Sequence, residues 1–355
     1  MKVKTRWHAG WIAVATLAGM AVVACAHESA NAVAAAEATP NAAGTASTAG
    51  APPVIPQNEK APPASQTGGF DGQKAYDYTA KQVSFGPRPP ASDAIRQTQD
   101  YLVSQLKGFG CHVDTDDFHA PTPIGNLAMK NIVAKIPGAG QGIILLMTHY
   151  DTLRLPGFVG ADDAGSSTGV MLEIARLLCG AKAKQPNSVW IAFVDGEEDQ
   201  TDFTSAQQAQ NTWDTNDTLF GSRELAARMD LSDDLKRTRA VILADMVGQK
   251  DLQIPPEASS TKWLVNLVWG TADRLGYSNV FVRQQVGEIT DDHDPFLQHH
   301  VPSVDIIELG GYMPGSSAPY WHTPQDTMDK LSPKSLAISG HVILESVAEL
   351  QKKFH

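Results

Sequence analysis

The segment "SVWIAFVDGEE", residues 188–198, is a continuous apolar run that ends abruptly in acidic residues. Short apolar runs without polar alternation are typical of strands that are covered on both faces. "GIILLMTHYD" at 142–151 and "RAVILADMVG" at 239–248 have the same character. The intervening residues 166–178 and 219–229 have a helical pattern. Strands that alternate with helices predict an α/β domain, a three-layer sandwich whose mixed, mostly parallel central sheet is flanked by helices.

Polar side chains follow each of these three apolar runs. His149 and Asp151 end the first, residues 195–198 end the second and Asp245 ends the third. In sheets of this kind, ligands bind beyond the carboxyl ends of the strands. A single acid at a strand end is usually a cap. Three such ends in succession indicate one converging site.

The N-terminal part of the chain is predicted not to belong to this domain. Basic residues at Lys2, Lys4 and Arg6 precede an apolar stretch, so residues 1–26 are interpreted as an export signal. "VVAC" resembles a lipoprotein signal with Cys25 as the lipidated residue, while cleavage after "ACA" and an uncleaved anchor remain alternatives. The protein is therefore expected to be periplasmic or extracellular, with or without a lipid anchor on the membrane.

A change of composition sets the domain boundary. Residues 27–69 are rich in Ala, Pro, Thr and Ser, and are predicted to form a disordered tether. Residues 70–355 are expected to form a single catalytic domain and to act as a monomer. Cys111 and Cys179 could form a disulfide or remain two buried thiols. The formal net charge of −11 and the absence of basic runs argue against nucleic acid as a partner.

The acidic pair after the second strand suggests a metal enzyme. A hydrolytic or acyl-transfer zinc site needs one carboxylate as a ligand and another free as general base, and Glu197 and Glu198 could divide these roles. "GADD" offers Asp162 and Asp163, which could instead cap a helix. "YWHTPQD" adds His322. Asp, Glu and His together suffice for one catalytic zinc with an open position.

These motifs, with "FGPRPP", "DTLFGSRELAARM", "DDHDPF" and "VPSVDII", resemble the co-catalytic zinc aminopeptidase fold. Within that fold, the chain is most similar to the glutaminyl-peptide cyclotransferases, or glutaminyl cyclases, in the style of bacterial members of the animal-like type. The resemblance extends from about residue 85 to the C-terminus. It implies that one zinc ion is bound by Asp163, Glu198 and His322, and that Glu197 is the acid/base.

The resemblance also implies roles around the metal. Asp245 and Asp291 would form a hydrogen-bonded acid pair, and Trp213 and Trp321 would line the substrate pocket. Asp305 stands where the animal enzymes have a histidine. Compared with the animal enzymes, this chain has extra residues between Glu198 and Trp213.

The three histidines of "TDDHDPFLQHH", residues 290–300, are expected not to bind the metal. His293 is interpreted as structural, and His299 and His300 as solvated. A second zinc could use His149 and Asp245, as in aminopeptidases of this fold. Two carboxylates in contact tend to share a proton. An Asp245–Asp291 pair would therefore make Asp245 a poor ligand and favour a single zinc.

The expected activity is zinc-dependent conversion of N-terminal Gln of peptides or proteins to pyroglutamate, with release of ammonia. A zinc aminopeptidase with one or two metals is the alternative. A non-catalytic ectodomain of the same fold is disfavoured, because the implied ligands and the acid/base are all present.

Overall fold

Six strands form the central sheet of the computed structural model, which describes residues 57–212, 214–308 and 320–355. Numbered along the chain, the strands are β1 His112–Thr122, β2 Gly125–Ile136, β3 Ile143–His149, β4 Ser188–Val194, β5 Thr238–Asp245 and β6 Ser303–Ile307. Their spatial order is β1-β2-β4-β3-β5-β6. Strands β3 to β6 are parallel to one another, whereas β1 and β2 form an antiparallel hairpin at one edge. The predicted mixed, mostly parallel sheet is confirmed.

Helices cover both faces of this sheet. They are α1 Gly72–Val83, α2 Asp93–Gly108, α3 Ser167–Cys179, α4 Ala206–Asn211, α5 Phe220–Leu231, α6 Asp234–Arg237, α7 Lys262–Arg274, α8 Asp294–Gln298 and α9 Pro333–Lys353. Helices α1, α2, α3, α7 and α9 pack on one face, and α5, α6 and α8 pack on the other. This arrangement is the expected three-layer sandwich.

The strand sequences explain why both faces are covered. In β3, Ile144 and Leu146 belong to the core on the α3 side, while Ile143, Leu145 and Met147 belong to the core on the α5 side. Successive side chains of a strand point to opposite faces, so a run without polar residues requires a layer on each face.

Local capping fixes where helices begin. The Ser92 side chain accepts a hydrogen bond from the Ile95 amide at the start of α2. Ser332 caps α9 in the same way, and Pro333 occupies its first turn. A serine cap satisfies a backbone amide that has no partner inside the helix, and proline there loses no hydrogen bond.

The structure adds two details to the sequence predictions. Cys111 and Cys179 form a disulfide, which joins the chain before β1 to the end of α3. Residues 57–69, assigned to the tether from composition, contain two short 3-10 turns, and Thr67 is fully buried. The predicted export signal and Cys25 lie outside the described residues. None of the helices in the described ranges has both the length and the apolar composition of a membrane span.

Candidate active site

The carboxyl ends of β3, β4 and β5 meet at one edge of the sheet because these strands are adjacent and parallel. At this edge His149 Nε2 lies 3.1 Å from Asp245 Oδ1 and 3.1 Å from Asp163 Oδ1. Glu197 Oε2 lies 3.8 Å from His149 Nδ1. The polar strand ends therefore converge, as the sequence predicted.

The three residues implied as zinc ligands come from three separate segments and meet beside this edge. Atoms of Asp163, Glu198 and His322 lie within 4.8 Å of one another. His322 Nε2 is 3.1 Å from Glu198 Oε2 and 3.5 Å from Asp163 Oδ2. All three side chains are buried, and burial lowers the pKa of His322 to about 4. Two carboxylates and a neutral imidazole form a donor set that fits a zinc ion.

A second set of possible ligands adjoins the first. His149, Asp163 and Asp245 also offer atoms within 4.8 Å of one another, and all three residues are buried. Asp163 belongs to both sets. The side chains of the described residues are therefore compatible with one metal ion or with two that share a carboxylate.

Two buried aspartates hold the segments that carry these groups. Asp151 accepts hydrogen bonds from the Glu197 amide at 3.2 Å and the Glu198 amide at 3.4 Å. Asp326 accepts from the amides of Asp162 and Asp163 at 2.8 and 3.1 Å. Sequence reasoning did not assign these supporting roles. The only signal was that each aspartate stands close to a predicted site residue, in "HYD" and "HTPQD".

Glu197 is buried beside the ligand set without being part of it. Burial raises its pKa well above the usual value, and the charges of Asp291 and Glu198 add to this effect. A carboxyl with a raised pKa is suited to take up and return a proton near neutral pH.

Asp291 lies in the loop before α8 and is also buried. Burial, together with the charge of Asp245, raises the pKa of Asp291 to about 7. One of its oxygens accepts from the Asp292 amide at 2.6 Å, and its carboxyl is in hydrogen-bond contact with Asp305. A hydrogen-bonded pair of Asp245 and Asp291 stays a prediction.

The remaining histidines of this region lie where the sequence suggested. His293 is fully buried, with Nε2 2.8 Å from Ser259 Oγ and 3.4 Å from Glu257 Oε1. His299 and His300 are exposed after the end of α8.

Most of the chain is similar to known proteins. Residues 131–347, more than half of the chain, match the model of peptidase family M28. The chain belongs to peptidase family M28. It is 30% identical over 295 residues to a glutaminyl-peptide cyclotransferase-like protein of Mus musculus, covering 74% of this chain and 72% of that relative.

Solved structures of other proteins share the fold of this chain. A glutaminyl cyclase from an Acidobacteriales bacterium superposes with a TM-score of 0.71 at 34% identity, covering 85% of this chain and 100% of that one. A Zn-dependent exopeptidase from Parabacteroides distasonis superposes with a TM-score of 0.69 at 31% identity, covering 78% and 97%. The predicted zinc-exopeptidase fold and the predicted likeness to glutaminyl cyclases are confirmed.

In this M28 chain, the site opens into a cavity of about 490 Å³. Asp163, Glu197, Asp245, Asp291 and His322 line its polar part. An apolar part is formed by Met246, Val286, Ile289, Ile307 and Trp321. Trp321 stacks on His322 with ring centroids 3.6 Å apart, whereas Trp213 lies outside the described residues. Residues 286–290 were not predicted as pocket residues because their sequence has no chemical signature.

Proposed function

We propose that this chain is a zinc-dependent glutaminyl cyclase that converts N-terminal Gln of peptides or proteins to pyroglutamate and releases ammonia. The observation that carries the proposal is the position of Glu197, buried and free of the Asp163–Glu198–His322 set yet facing the same cavity. The relatives named as glutaminyl-peptide cyclotransferase-like protein and glutaminyl cyclase support it.

One zinc ion is proposed to be bound by Asp163, Glu198 and His322. When bound, zinc supplies a Lewis acid that polarises the γ-carbonyl of the substrate glutamine. The protein residues bury this set, so the charges act in a medium from which water is largely excluded.

Glu197 is proposed to move the proton. It accepts one from the substrate's neutral α-amine as that nitrogen attacks its own γ-carbonyl carbon. The bond between that carbon and the side-chain nitrogen breaks as Glu197 returns the proton, so a five-membered lactam and ammonia leave the site. Asp245 and Asp291 orient the nitrogen groups of the substrate. The apolar wall of the cavity, which includes Trp321, favours the folded conformer of the substrate.

An assay with Gln-naphthylamide tests this reaction. Ammonia and free naphthylamine are measured separately in the same sample. Release of ammonia without naphthylamine is expected. Naphthylamine as the main product would instead identify an aminopeptidase, and neither product from zinc-loaded protein would contradict both activities.

A zinc aminopeptidase is the second candidate because His149, Asp163 and Asp245 offer a further ligand set. Elemental analysis of purified active protein distinguishes the two candidates. One zinc per chain is expected for the cyclase. A second, tightly held zinc that is lost in His149→Ala would favour peptide hydrolysis.

We also propose that residues 1–26 direct export and that Cys25 is lipidated. The basic start and the "VVAC" motif support this. Mass spectrometry of the mature N-terminus tests it: a diacylglyceryl group on Cys25 is expected, and a mature chain that begins after Ala26 would contradict lipidation. A sedimentation measurement of the mature chain is expected to give a monomer.

A further inference from the structure

An aspartate lies in the middle of the core strand β6. Asp305 stands between Val304 and Ile306, and the residue is completely buried. Both of its carboxyl oxygens are buried and accept no hydrogen bond from the described donors. A buried charge without a partner is strongly unfavourable, so this carboxyl requires an explanation.

The sheet register places Asp305 directly behind the active site. Asp305 pairs with Leu243 of β5, and Ile307 pairs with Asp245. Residues two apart on a strand share a face of the sheet. Asp305 therefore lies on the same face as Asp245, one residue pair further from the cavity that Asp245 and Ile307 line.

The neighbour of Asp305 is a second carboxyl, Asp291, which also has a buried oxygen without a hydrogen-bond donor. Asp291 and Asp305 are in hydrogen-bond contact. Asp291 Oδ2 is buried and, like the Asp305 oxygens, receives no hydrogen bond from the described donors. Two carboxyls can satisfy each other in such a contact only if one of them carries a proton.

Counting the pair itself, four acidic side chains and two histidines interact here. Asp245 and Glu257 also face Asp305, and both are acids. His293 and His149 act on Asp291 as cations, but both are shared with other acids. His293 Nε2 also lies beside Ser259 and Glu257, and His149 Nε2 is 3.1 Å from both Asp163 and Asp245. Buried carboxyls that interact in this way disfavour each other's ionisation, so one of them is expected to keep a proton.

We infer that Asp305 is a positioning residue that carries a proton and donates it to Asp291 Oδ2, so that Asp291 faces the cavity as an oriented anion. Burial raises the pKa of Asp305 well above its usual value, and the charges of Asp291 and Asp245 add to this effect. A raised pKa agrees with an Asp305 carboxyl that keeps its proton. The kinetic part of the test rests on the proposed function, whereas the spectroscopic part does not.

Three forms of the zinc-loaded protein test the inference: the wild type, Asp305→Asn and Asp305→Leu. An asparagine amide can donate to Asp291 as a protonated aspartate does, whereas leucine has the same branching pattern with bulkier methyl groups and cannot donate. Asp305→Asn is expected to keep kcat/KM within about threefold, and Asp305→Leu to lose about tenfold or more. The ratio of wild-type to Asp305→Asn activity should fall at alkaline pH, because only aspartate can lose the proton.

Infrared difference spectroscopy gives a readout without turnover. The wild-type minus Asp305→Asn spectrum at neutral pH should contain the carbonyl stretch of a protonated carboxyl. Its absence would overturn the inference even if Asp305→Leu failed to fold. Equal activity of Asp305→Leu and wild type, or equal loss in folded Asp305→Asn and Asp305→Leu, would also overturn it. If no variant cyclises Gln substrates yet the stretch is present, the proposed function fails while the proton assignment stands.

Discussion

Glu197 and Glu198 are neighbours in the chain but lie in different environments. Glu198 Oε1 accepts from the Leu153 amide at 3.0 Å, and its Oε2 lies 3.1 Å from His322 Nε2. Glu197 lines the cavity and belongs to neither of the two possible ligand sets found among the described residues. The turn after β4 separates the two side chains, so one can bind a metal while the other handles protons.

This separation leads to a prediction for Glu197→Gln. The amide has the same shape but cannot accept and return a proton, so turnover should fall by about a thousandfold. Zinc content, measured by elemental analysis, should stay at the wild-type level. Glu198→Gln is the matched variant and should lose zinc as well as activity. Wild-type turnover by Glu197→Gln would remove this residue from the proton pathway.

The buried Glu257–His293 pair gives a prediction about stability and pH. Burial opposes ionisation of Glu257, but hydrogen bonds from His293, Ser260 and Ser259 lower its pKa to about 2. Although burial disfavours the charged imidazole, Glu257 and nearby acids raise the pKa of His293. The Glu257 contribution is present above about pH 4.5 and is lost as pH falls toward 2. The His293 contribution is present below about pH 6.5 and is lost as pH rises through its raised pKa.

Glu257→Gln should therefore lower the free energy of unfolding by about 3 kcal/mol near pH 5.5, since it leaves a buried charge without its partner. The loss should become smaller as pH approaches 3. Urea unfolding at several pH values measures this, with exposed Glu288→Gln as a control that should change little. A loss that is constant across this pH range would show that charge pairing is not its cause.

The elements that the sequence predicted best are those with one unmistakable pattern. Strands β3, β4 and β5 are unbroken apolar runs, and their burial on both faces follows directly. Strand β1 was not predicted because "HVDTDDFHAPT" has polar residues on both faces. It lies at the edge of the sheet and pairs with one strand only. The role of Asp305 could not be predicted either, since it depends on which residue of β5 lies opposite β6.

Close packing of α1 against α3 gives a prediction at the level of these elements. A Cβ built on Gly169 of α3 would lie 2.2 Å from Thr79 Oγ1 and 2.5 Å from the Ala75 carbonyl oxygen of α1. Gly169→Ala must push the helices apart and should destabilise the protein by about 1–3 kcal/mol.

Gly270 in α7 is the matched control because a Cβ there meets nothing within 4 Å. Gly270→Ala should stabilise by about 0.5–1 kcal/mol through helix propensity. Thermal unfolding of both variants measures these shifts. If both alanines were equally tolerated, the close approach of α1 and α3 would not be a constraint.

At the scale of the whole molecule, the disulfide ties together parts of the chain that the sequence could not pair. Cys111 and Cys179 are 68 residues apart and carry no spacing motif. Only the fold brings the start of β1 beside the end of α3. A cross-link over a loop of this length restricts the unfolded chain and should stabilise the folded one by about 4 kcal/mol.

The double variant Cys111→Ser/Cys179→Ser tests this contribution. Its free energy of unfolding in urea should be lower than that of the oxidised wild type by about that amount, and the reduced wild type should match the variant. Activity at low temperature should be retained, because the 13 residues of α3 separate Cys179 from the Asp163 end by about 20 Å. Equal unfolding free energies of the oxidised and reduced wild type would show that the bond adds nothing to folding. A loss of activity in the still-folded variant would mean that α3 transmits strain to the site.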